Sequence, residues 1–331
     1  MSRANGKKIV EFGGMTDDTI TENVIAINSM SGDARLQFLV ERLITHMHAF
    51  ARETRLTTDE WMAAIEFLTK VGQTCTETRQ EFILLSDIFG LSVLVDAISH
   101  PKSKDATTGT LLGPFHTHDA NEFSSGDSFC SDGKGQPCAI HGKVTDTHGN
   151  PIDGASVELW ETDDTGHYDT QYSDREGPDC RGIFHTGANG QYITKGIVPV
   201  SYPIPHDGPV GQLLEKLNRH PYRPAHIHFW VKKDGYDELI TALYMKDDPY
   251  ENSDAVFGAK KDLIVSPKKI EDPELAKQLG MNVGDYHIEF DIVLMSKEEG
   301  ISLFDKRSRE ELKKIGVNAA IIDGLPVAEL D

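Results

Sequence analysis

The chain has 331 residues, of which 38% are hydrophobic and 26% are charged. This composition is typical of a soluble globular protein and argues against a disordered, collagen-like or coiled-coil chain. The 33 basic and 53 acidic residues leave a net charge of -20, which would repel nucleic acid and anionic membrane surfaces. No segment has the roughly 18 apolar residues of a membrane span, and the first residues lack the apolar core of a secretion signal. With roughly 150 residues per domain, the length predicts two structural units, and the charge favours a neutral or metal-bound substrate.

The cysteines bear on the location of the protein. Cys75, Cys130, Cys138 and Cys180 contain no Cys-x-x-Cys pair and no regular spacing. They therefore predict a reducing cytoplasm rather than a disulfide framework or a zinc site. Cys130 and Cys138 flank a glycine-rich turn and could form a bridge if oxidised. The alternative is that both are ordinary loop thiols.

The first third of the chain has the pattern of consecutive helices. Between Asp33 and Thr54, apolar residues recur at spacings of three and four, which predicts one amphipathic helix with Asp33 as its N-cap. Pro101 ends the helical region because the residue before a proline is driven out of helical conformation. Further helices are predicted at 58–71, 77–89 and 91–98.

From residue 137 the apolar residues alternate with a period of two, in short segments separated by turn sequences such as HGNP, GANG and KDG. The segments are AIHGKVTD, ASVELWET, GQYITKGIV, AHIHFWVK, ELITALYM, DLIV and YHIEFDIVLM. This pattern predicts an antiparallel β-sandwich. The predicted fold class is α+β, with a helical N-terminal domain over residues 1–105 and a sandwich domain over 106–331. The tail from about residue 296 is charged and predicted to be helical in part.

Two of the three His-x-His pairs are weak candidates for metal binding. His46 and His48 lie in a predicted helix, where residues two apart point about 200° away from each other around the axis and cannot chelate one ion. His116 and His118 lie in the loop between the two predicted domains, which leaves their geometry open.

The third pair has the spacing of two ligands for one metal. His226 and His228 lie in a predicted strand, where residues two apart share one face, about 7 Å apart along the chain. The alternative is two polar residues on a solvated face, with Ile227 and Phe229 directed to the core. No His-x-Asp motif supplies the carboxylate of a ferrous facial triad, so tyrosine is the other candidate donor.

These residues belong to a longer ordered pattern, whose segments are GTLLGPFH, HGKVTDTHGNPIDGASVELWETDDTGHY, GIVPVSYPIP and RPAHIHFWV. Together with the helical front, the pattern resembles the intradiol ring-cleavage dioxygenases over most of the chain. The segment HGKVTDTHGNPIDGASVELW would be weak alone, because prealbumin-like sandwich modules share its features. The ordered set of Tyr, Tyr, Arg and His-x-His makes the resemblance specific.

The resemblance implies a non-haem Fe(III) held by Tyr168, Tyr202, His226 and His228, with Arg223 as the active-site arginine. Two phenolates are hard anionic donors that favour Fe(III) over Fe(II), and a trivalent ion lowers the pKa of a tyrosine far below its usual value. The resemblance also implies that Tyr202 leaves the metal when a diol binds as a dianion. Arg223 would then stabilise the negative charge that develops.

Four of the other tyrosines are interpreted as core or surface residues. They are Tyr192, Tyr222, Tyr244 and Tyr286.

The helical front contains residues that resemble one branch of the family, the hydroxyquinol 1,2-dioxygenases. Leu84 and Asp87 match that branch, whereas catechol 1,2-dioxygenases have proline at the position of Asp87. A carboxylate near the ring can accept a hydrogen bond from a third hydroxyl, but plain catechol would leave it desolvated and unpaired. The alternative is that Asp87 caps or solvates a helix. Ala242 stands where catechol enzymes have glutamine, so no role of that glutamine can be transferred.

The predicted substrate pocket combines these positions with the Leu-Gly-Pro-Phe segment, which also resembles the hydroxyquinol branch. Its residues are Leu84, Asp87, Leu112, Gly113, Pro114, Phe115, Ile197, Pro199, Val200, Arg223 and Ala242.

The implied activity is cleavage of hydroxyquinol (benzene-1,2,4-triol) by O2, giving 3-hydroxy-cis,cis-muconate, the tautomer of maleylacetate. Catechol cleavage to cis,cis-muconate is the alternative. Two other classes stay open, a prealbumin-like binding module without catalysis and a hydrolase that uses a divalent ion. The family's helical front commonly forms a dimer interface that can hold a lipid, so the resemblance implies a homodimer.

Overall fold

The computed structural model describes residues 3–4, 7–8, 15–76 and 79–328. The chain folds into two compact units, one of Met1–Lys70 with Phe304–Asp331 and one of Val71–Leu303. The predicted boundary between residues 105 and 106 instead follows the change from helices to strands, and it stays a prediction.

The described residues form eight α-helices. These are α1 (Ile20–Asn28), α2 (Ala34–Thr54), α3 (Thr58–Thr74), α4 (Glu81–Ile88), α5 (Leu91–Ser99), α6 (Pro209–Lys216), α7 (Pro273–Leu279) and α8 (Lys297–Lys314).

The front helices agree with their sequence signals. The side chain of Asp33 accepts a hydrogen bond from the Leu36 backbone N at 3.0 Å, as expected for the N-cap of α2. The helix predicted over 77–89 is shorter, since α4 begins at Glu81 and residues 77 and 78 lie outside the described residues. Among the described residues, no single helix is long and apolar enough to cross a membrane. Only α4 and α5 taken together reach that length and apolar composition, and they are bent by 85° relative to each other.

The described residues also form seventeen strands. These are β1 (Arg3–Ala4), β2 (Lys7–Lys8), β3 (Asn121–Glu122), β4 (Pro137–Asp146), β5 (Ser156–Trp160), β6 (Arg181–His185), β7 (Gln191–Ile197), β8 (Tyr202–Pro203), β9 (Tyr222–Arg223), β10 (His226–Lys232), β11 (Leu239–Met245), β12 (Ile264–Val265), β13 (Lys268–Lys269), β14 (Tyr286–Glu289), β15 (Ile292–Leu294), β16 (Ala319–Ile322) and β17 (Leu325–Ala328).

Two sheets in the second unit contain most of these strands. The first has the order β12-β11-β10-β5-β6-β3, and the second contains β13, β14, β4 and β15, with β7 paired to β4. The central pairs β11-β10-β5-β6 and the pair β4-β7 are antiparallel. Four pairs are parallel, namely β11-β12, β3-β6, β4-β14 and β4-β15, so the sheets are mixed rather than wholly antiparallel. Alternating apolar residues fix the buried face of a strand but not the direction of its neighbour.

One hydrophobic core contains side chains from both sheets. Ile140 and Val144 of β4 lie in it together with Ile227, Phe229 and Val231 of β10. These β10 residues are two apart, as expected for a strand with one face on a core. His226 and His228 alternate with these core residues along β10 and therefore point to the opposite face of the first sheet.

The structure contradicts both alternatives given for Cys130, a bridge to Cys138 and an unpaired loop thiol. A disulfide joins Cys130 to Cys180, while Cys138 and Cys75 are free thiols. The backbone N of Glu161, just after β5, donates to the Cys180 carbonyl at 3.0 Å, which fixes Cys180 close to the core. Cys130 and Cys180 are 50 residues apart, so the short turn between Cys130 and Cys138 gave no signal for their pairing.

A C-terminal hairpin is an element that the sequence analysis missed. β16 and β17 pair antiparallel across Asp323 and Gly324, whose φ values are 50° and 74°. Asp-Gly between apolar segments is a common signal for such a turn. The hairpin lies in the same unit as α2, and the Arg35 guanidinium donates to the Pro326 carbonyl.

Candidate metal centre

The His226 and His228 side chains converge at one buried point. Their exposed fractions are 2% and 1%, and their Nε2 atoms lie 3.1 Å apart. The alternative of a solvated strand face is therefore wrong for this pair, because other segments cover the outer face of the first sheet here.

The hydrogen bonds of the two histidines fit a ligand role. His226 Nδ1 lies 2.7 Å from the Pro224 carbonyl, so the ring donates there and its lone pair is on Nε2, which here accepts from Arg223 Nη1 at 3.1 Å. His228 Nδ1 has no hydrogen-bond partner among the described residues. Burial, together with the charge of Arg223, lowers the pKa of both imidazoles. Both rings are therefore neutral, which is the form that binds metals.

Two tyrosine hydroxyls lie beside the histidines. Tyr168 and Tyr202 are buried, their Oη atoms are 3.3 Å apart, and the ring centroids of Tyr202 and His226 are 5.5 Å apart. Burial and the neighbouring Tyr202 raise the pKa of Tyr168 well above its usual value. The hydroxyl is thus neutral in the protein alone, and a multivalent cation would reverse this by stabilising the phenolate.

Neighbouring elements hold each of the two tyrosines in position. Tyr202 is paired directly with Arg223 in the short β8-β9 ladder, which leads into β10. Tyr168 precedes a 3₁₀ turn that begins at Asp169, and the Arg181 guanidinium holds the Asp169 carboxylate through contacts of 3.0 and 2.9 Å from Nε. This buried ion pair fixes the loop on which Tyr168 lies.

The donor set decides which metal chemistry fits. Among the residues that the structure describes, no three His, Cys, Asp or Glu side chains are grouped so that they could hold a metal ion. A cation at His226 and His228 would therefore depend on the hydroxyls of Tyr168 and Tyr202. Two neutral imidazoles with two phenolates suit a trivalent ion better than a divalent one, since each phenolate contributes a negative charge.

Several predicted pocket residues contact this cluster. Gly113 has a φ of 77°, and a Cβ there would lie 3.2 Å from His228 Nε2, so the backbone itself packs on that ring. Phe115 stacks on Tyr168 with ring centroids 4.6 Å apart. Leu112 packs on the cluster of Trp160, Tyr168 and Tyr202.

Ala242 is also close, because it is paired with His228 across β10 and β11 and is fully buried. Leu84 and Asp87 lie on α4, where Asp87 is half-buried. Burial raises the pKa of Asp87, while a hydrogen bond with Ser92 and the charge of Arg223 lower it. Asp87 therefore lies within electrostatic reach of Arg223.

The remaining pocket residues are placed differently. The Ile197 side chain belongs to the core shared by the two sheets. Pro199 and Val200 line a surface cavity of about 400 Å³ with Gly135 and Asp164. Pro114 is exposed. Their part in a substrate pocket stays a prediction.

The other histidine pairs have contacts of their own. His116 Nε2 lies 2.7 Å from Glu158 Oε1, and its ring packs edge-on against Trp160, which in turn stacks on His228 at 4.8 Å. His118 packs edge-on against His116. On α2, His48 Nδ1 lies 2.9 Å from the Thr21 hydroxyl, and His46 Nε2 lies 3.2 Å from Arg42 Nη2.

Two residues near Arg223 were missed by the sequence analysis. Tyr244, interpreted as a core or surface residue, is fully buried and its Oη accepts from Arg223 Nη2 at 3.1 Å. Asp254 forms a buried ion pair with Arg223, with Nε 3.2 Å from Oδ1. The signal for Tyr244 was its place on the strand next to the histidines, but only the register brings it opposite His226.

Comparisons with known proteins agree with this geometry. The family profile "Dioxygenase" matches residues 112–296, and "Catechol dioxygenase N terminus" matches residues 33–107. The chain is 53% identical over 324 residues to the intradiol ring-cleavage dioxygenase hqdA of Aspergillus niger, covering 98% of each chain. It is 44% identical to the hydroxyquinol 1,2-dioxygenase of a Rhizobium species, over 85% of this chain and 96% of that one.

Solved structures give the same result. The hydroxyquinol 1,2-dioxygenase from Pseudomonas putida DLL-E4 matches with a TM-score of 0.81 and 38% identity, over 85% of this chain and 99% of that one. A catechol 1,2-dioxygenase from Acinetobacter radioresistens matches with a TM-score of 0.73 and 27% identity, over 87% and 95% of the two chains. The sequence, the helical front and the mixed-sheet fold lead to one assignment: the chain belongs to the intradiol ring-cleavage dioxygenase family.

Proposed function

We propose that this protein cleaves hydroxyquinol with dioxygen at an Fe(III) ion held by Tyr168, Tyr202, His226 and His228. The observation that carries the proposal is the convergence of two phenol oxygens, 3.3 Å apart, and two imidazole nitrogens, 3.1 Å apart, in one buried cluster. When bound, a ferric ion would act as a Lewis acid that takes the deprotonated diol and draws electron density from its ring.

The reaction is balanced without an external reductant. The bond between the two adjacent hydroxylated carbons breaks, both atoms of O2 enter the product, and two carboxylates form in 3-hydroxy-cis,cis-muconate. With the ion bound, Tyr202 would hold at its Oη one of the two diol protons, and the other proton would pass to solvent. Arg223, whose guanidinium is fully buried beside His226, stabilises negative charge on the reacting oxygens.

Asp87 supports hydroxyquinol over catechol as substrate. Its carboxylate is half-buried and interacts with the charges of Arg223 and Asp254. A third ring hydroxyl can donate a hydrogen bond to this carboxylate, whereas catechol leaves it desolvated without a partner. The names of the Rhizobium and Pseudomonas relatives agree with this choice.

The test is oxygen uptake by iron-loaded protein with hydroxyquinol and with catechol, corrected for autoxidation of hydroxyquinol. We expect a higher kcat/KM for hydroxyquinol, and Asp87→Ala should reduce the preference by about 10-fold or more, the value of one hydrogen bond to a charged group. Asp234→Ala, at an exposed turn, is the control and should leave the preference unchanged. A wild-type preference for catechol would refute the role of Asp87, and a coloured ferric protein that consumes neither diol would refute the substrate class.

We also propose a homodimer formed through the helical front, with room for a lipid at the interface. The apolar stripe of α2 supports it, because Leu39, Leu43, Met47 and Phe50 are 48–57% exposed in the single chain. Sedimentation velocity should give a dimer that Leu43→Glu dissociates, and native mass spectrometry should detect any retained lipid. A monomeric wild-type protein would refute this part. The cytoplasmic location stays a prediction.

A further inference from the structure

The Arg223 guanidinium has a partner on every side. Its Nη1 lies 3.1 Å from His226 Nε2, its Nη2 donates to Tyr244 Oη at 3.1 Å, and its Nε donates to Asp254 Oδ1 at 3.2 Å. All four side chains are at least nine-tenths buried. A guanidinium with five donors in a fixed plane can be oriented fully by such a set.

The Asp254 carboxylate is itself held in place by backbone hydrogen bonds. It accepts backbone hydrogen bonds from Val256 at 3.2 Å, Gly258 at 2.9 Å and Ala259 at 3.0 Å. These bonds tie the carboxylate to one tight turn, so the Nε side of Arg223 is anchored to backbone rather than to a mobile side chain.

Tyr244 contacts the Nη2 side of the Arg223 guanidinium. It stands opposite His226 in the β10-β11 register, and the two ring centroids are 5.2 Å apart. The turn at Gly258 packs on it so closely that a Cβ there would lie 2.7 Å from Tyr244 Oη and 2.9 Å from Arg223 Nη2. Thr110 Oγ1 donates to the Gly258 carbonyl at 2.8 Å and holds that turn in place.

We propose that Tyr244 and Asp254 are positioning residues that hold the Arg223 guanidinium with its Nη1 edge toward His226. The inference rests on the proposed function, because it assigns the purpose of that orientation to the charge that develops during ring cleavage. Asp254 accepts from Nε at 3.2 Å and from Nη2 at 3.4 Å, and Tyr244 accepts from Nη2 at 3.1 Å, so Nη1 is the nitrogen that is directed at His226 and the metal centre. A preorganised positive charge of this kind lowers the barrier without strengthening binding of the substrate itself.

The experiment compares Tyr244→Phe with Tyr192→Phe. Tyr192 is a matched control, since it is equally buried and loses one hydrogen bond of 2.7 Å to the Phe290 carbonyl, but lies in the shared core of the sheets. We expect both variants to keep wild-type iron content and the visible ferric-tyrosinate absorption. Anaerobic titration with hydroxyquinol should give binding within about 2-fold of wild type, while kcat of Tyr244→Phe alone falls about 10-fold.

A double-variant cycle shows whether Tyr244 acts through Arg223. In an Arg223→Gln background, Tyr244→Phe should cause no further loss of kcat, because the group that it positions is gone. Asp254→Asn should lower kcat about as much as Tyr244→Phe does. In the Arg223→Gln background it should also cause no further loss of kcat. Wild-type kcat in Tyr244→Phe, or an undiminished loss in the Arg223→Gln background, would overturn the inference and leave the proposed function intact. Failure of the wild-type ferric protein to bind or oxidise either diol would instead overturn the proposed function, and this inference with it.

Discussion

Glu161 is a carboxyl in the centre of the protein, with 1% of its surface exposed. Its Oε1 accepts from the Ile197 backbone N at 3.0 Å and lies 3.5 Å from Cys130 Sγ. Its Oε2 has no hydrogen-bond partner among the described residues. Burial raises its pKa from 4.5 to about 8, against the hydrogen bond from Ile197, which lowers it.

This shift makes the stability of the protein depend on pH. Between pH 4.5 and about 8, the folded protein keeps a proton on Glu161 that the unfolded chain releases, so the free energy of unfolding falls as the pH rises. The loss follows from about 1.4 kcal/mol per pH unit, so it is about 1.4 kcal/mol at pH 5.5 and about 4 kcal/mol at pH 7.5. Glu161→Gln keeps the shape of the neutral acid and removes this loss.

The assay is the Tm of iron-loaded wild type and Glu161→Gln at both pH values. The difference between the two proteins cancels every other titrating group, and it should grow by about 2.5 kcal/mol, or roughly 5–10 °C, in favour of the variant at the higher pH. Glu271→Gln, at an exposed position, is the control and should show no such growth. A difference that stays constant from pH 5.5 to 7.5 would mean that Glu161 is ionised in the fold, and the reasoning would be refuted.

Two further predictions concern the disulfide and the backbone under the metal centre. Denatured protein without reductant should expose two reactive thiols, rising to four after reduction, because Cys130 and Cys180 are joined; four thiols before reduction would contradict the pairing. Gly113→Ala should lower iron content and kcat at least about 10-fold, because φ is 77° and the new Cβ would lie 3.2 Å from His228 Nε2. Gly149→Ala, with a φ of 83° and open space around it, is the control; equal iron and kcat in the two variants would refute the role given to Gly113.

Local signals predicted most of the helices and strands, although the C-terminal Asp-Gly hairpin was missed, and the pairings between distant segments were not predicted. The α2 helix follows from its apolar spacing and from Asp33 as cap, both of which lie within one short stretch of chain. The parallel pairing of β14 and β15 with β4 joins segments more than a hundred residues apart, and alternation of apolar residues does not encode it. The same holds for the bond between Cys130 and Cys180.

The candidate site was predictable to the extent that its residues share a strand or a motif. His226 and His228 are two apart on β10, so their common face follows from the period of a strand. Tyr244 and Asp254 carry no such mark, because their contacts with Arg223 depend on the β10-β11 register and on the turn around Gly258. Nor could the sequence show that other segments bury the histidine face.

The charges near the site bear on which diols it can accept. Arg223 is a buried cation beside the histidines, and most of its charge is balanced by Asp254, its ion-pair partner. Asp87 adds a second carboxylate within reach of the same guanidinium. A diol that carries its own carboxylate would bring a further negative charge to a place where Asp254 and Asp87 already lie near Arg223, in a chain of net charge -20. A neutral triol brings no such charge and, in the role proposed for Asp87, supplies the third hydroxyl as a hydrogen-bond donor, so the balance of charge supports the proposed preference.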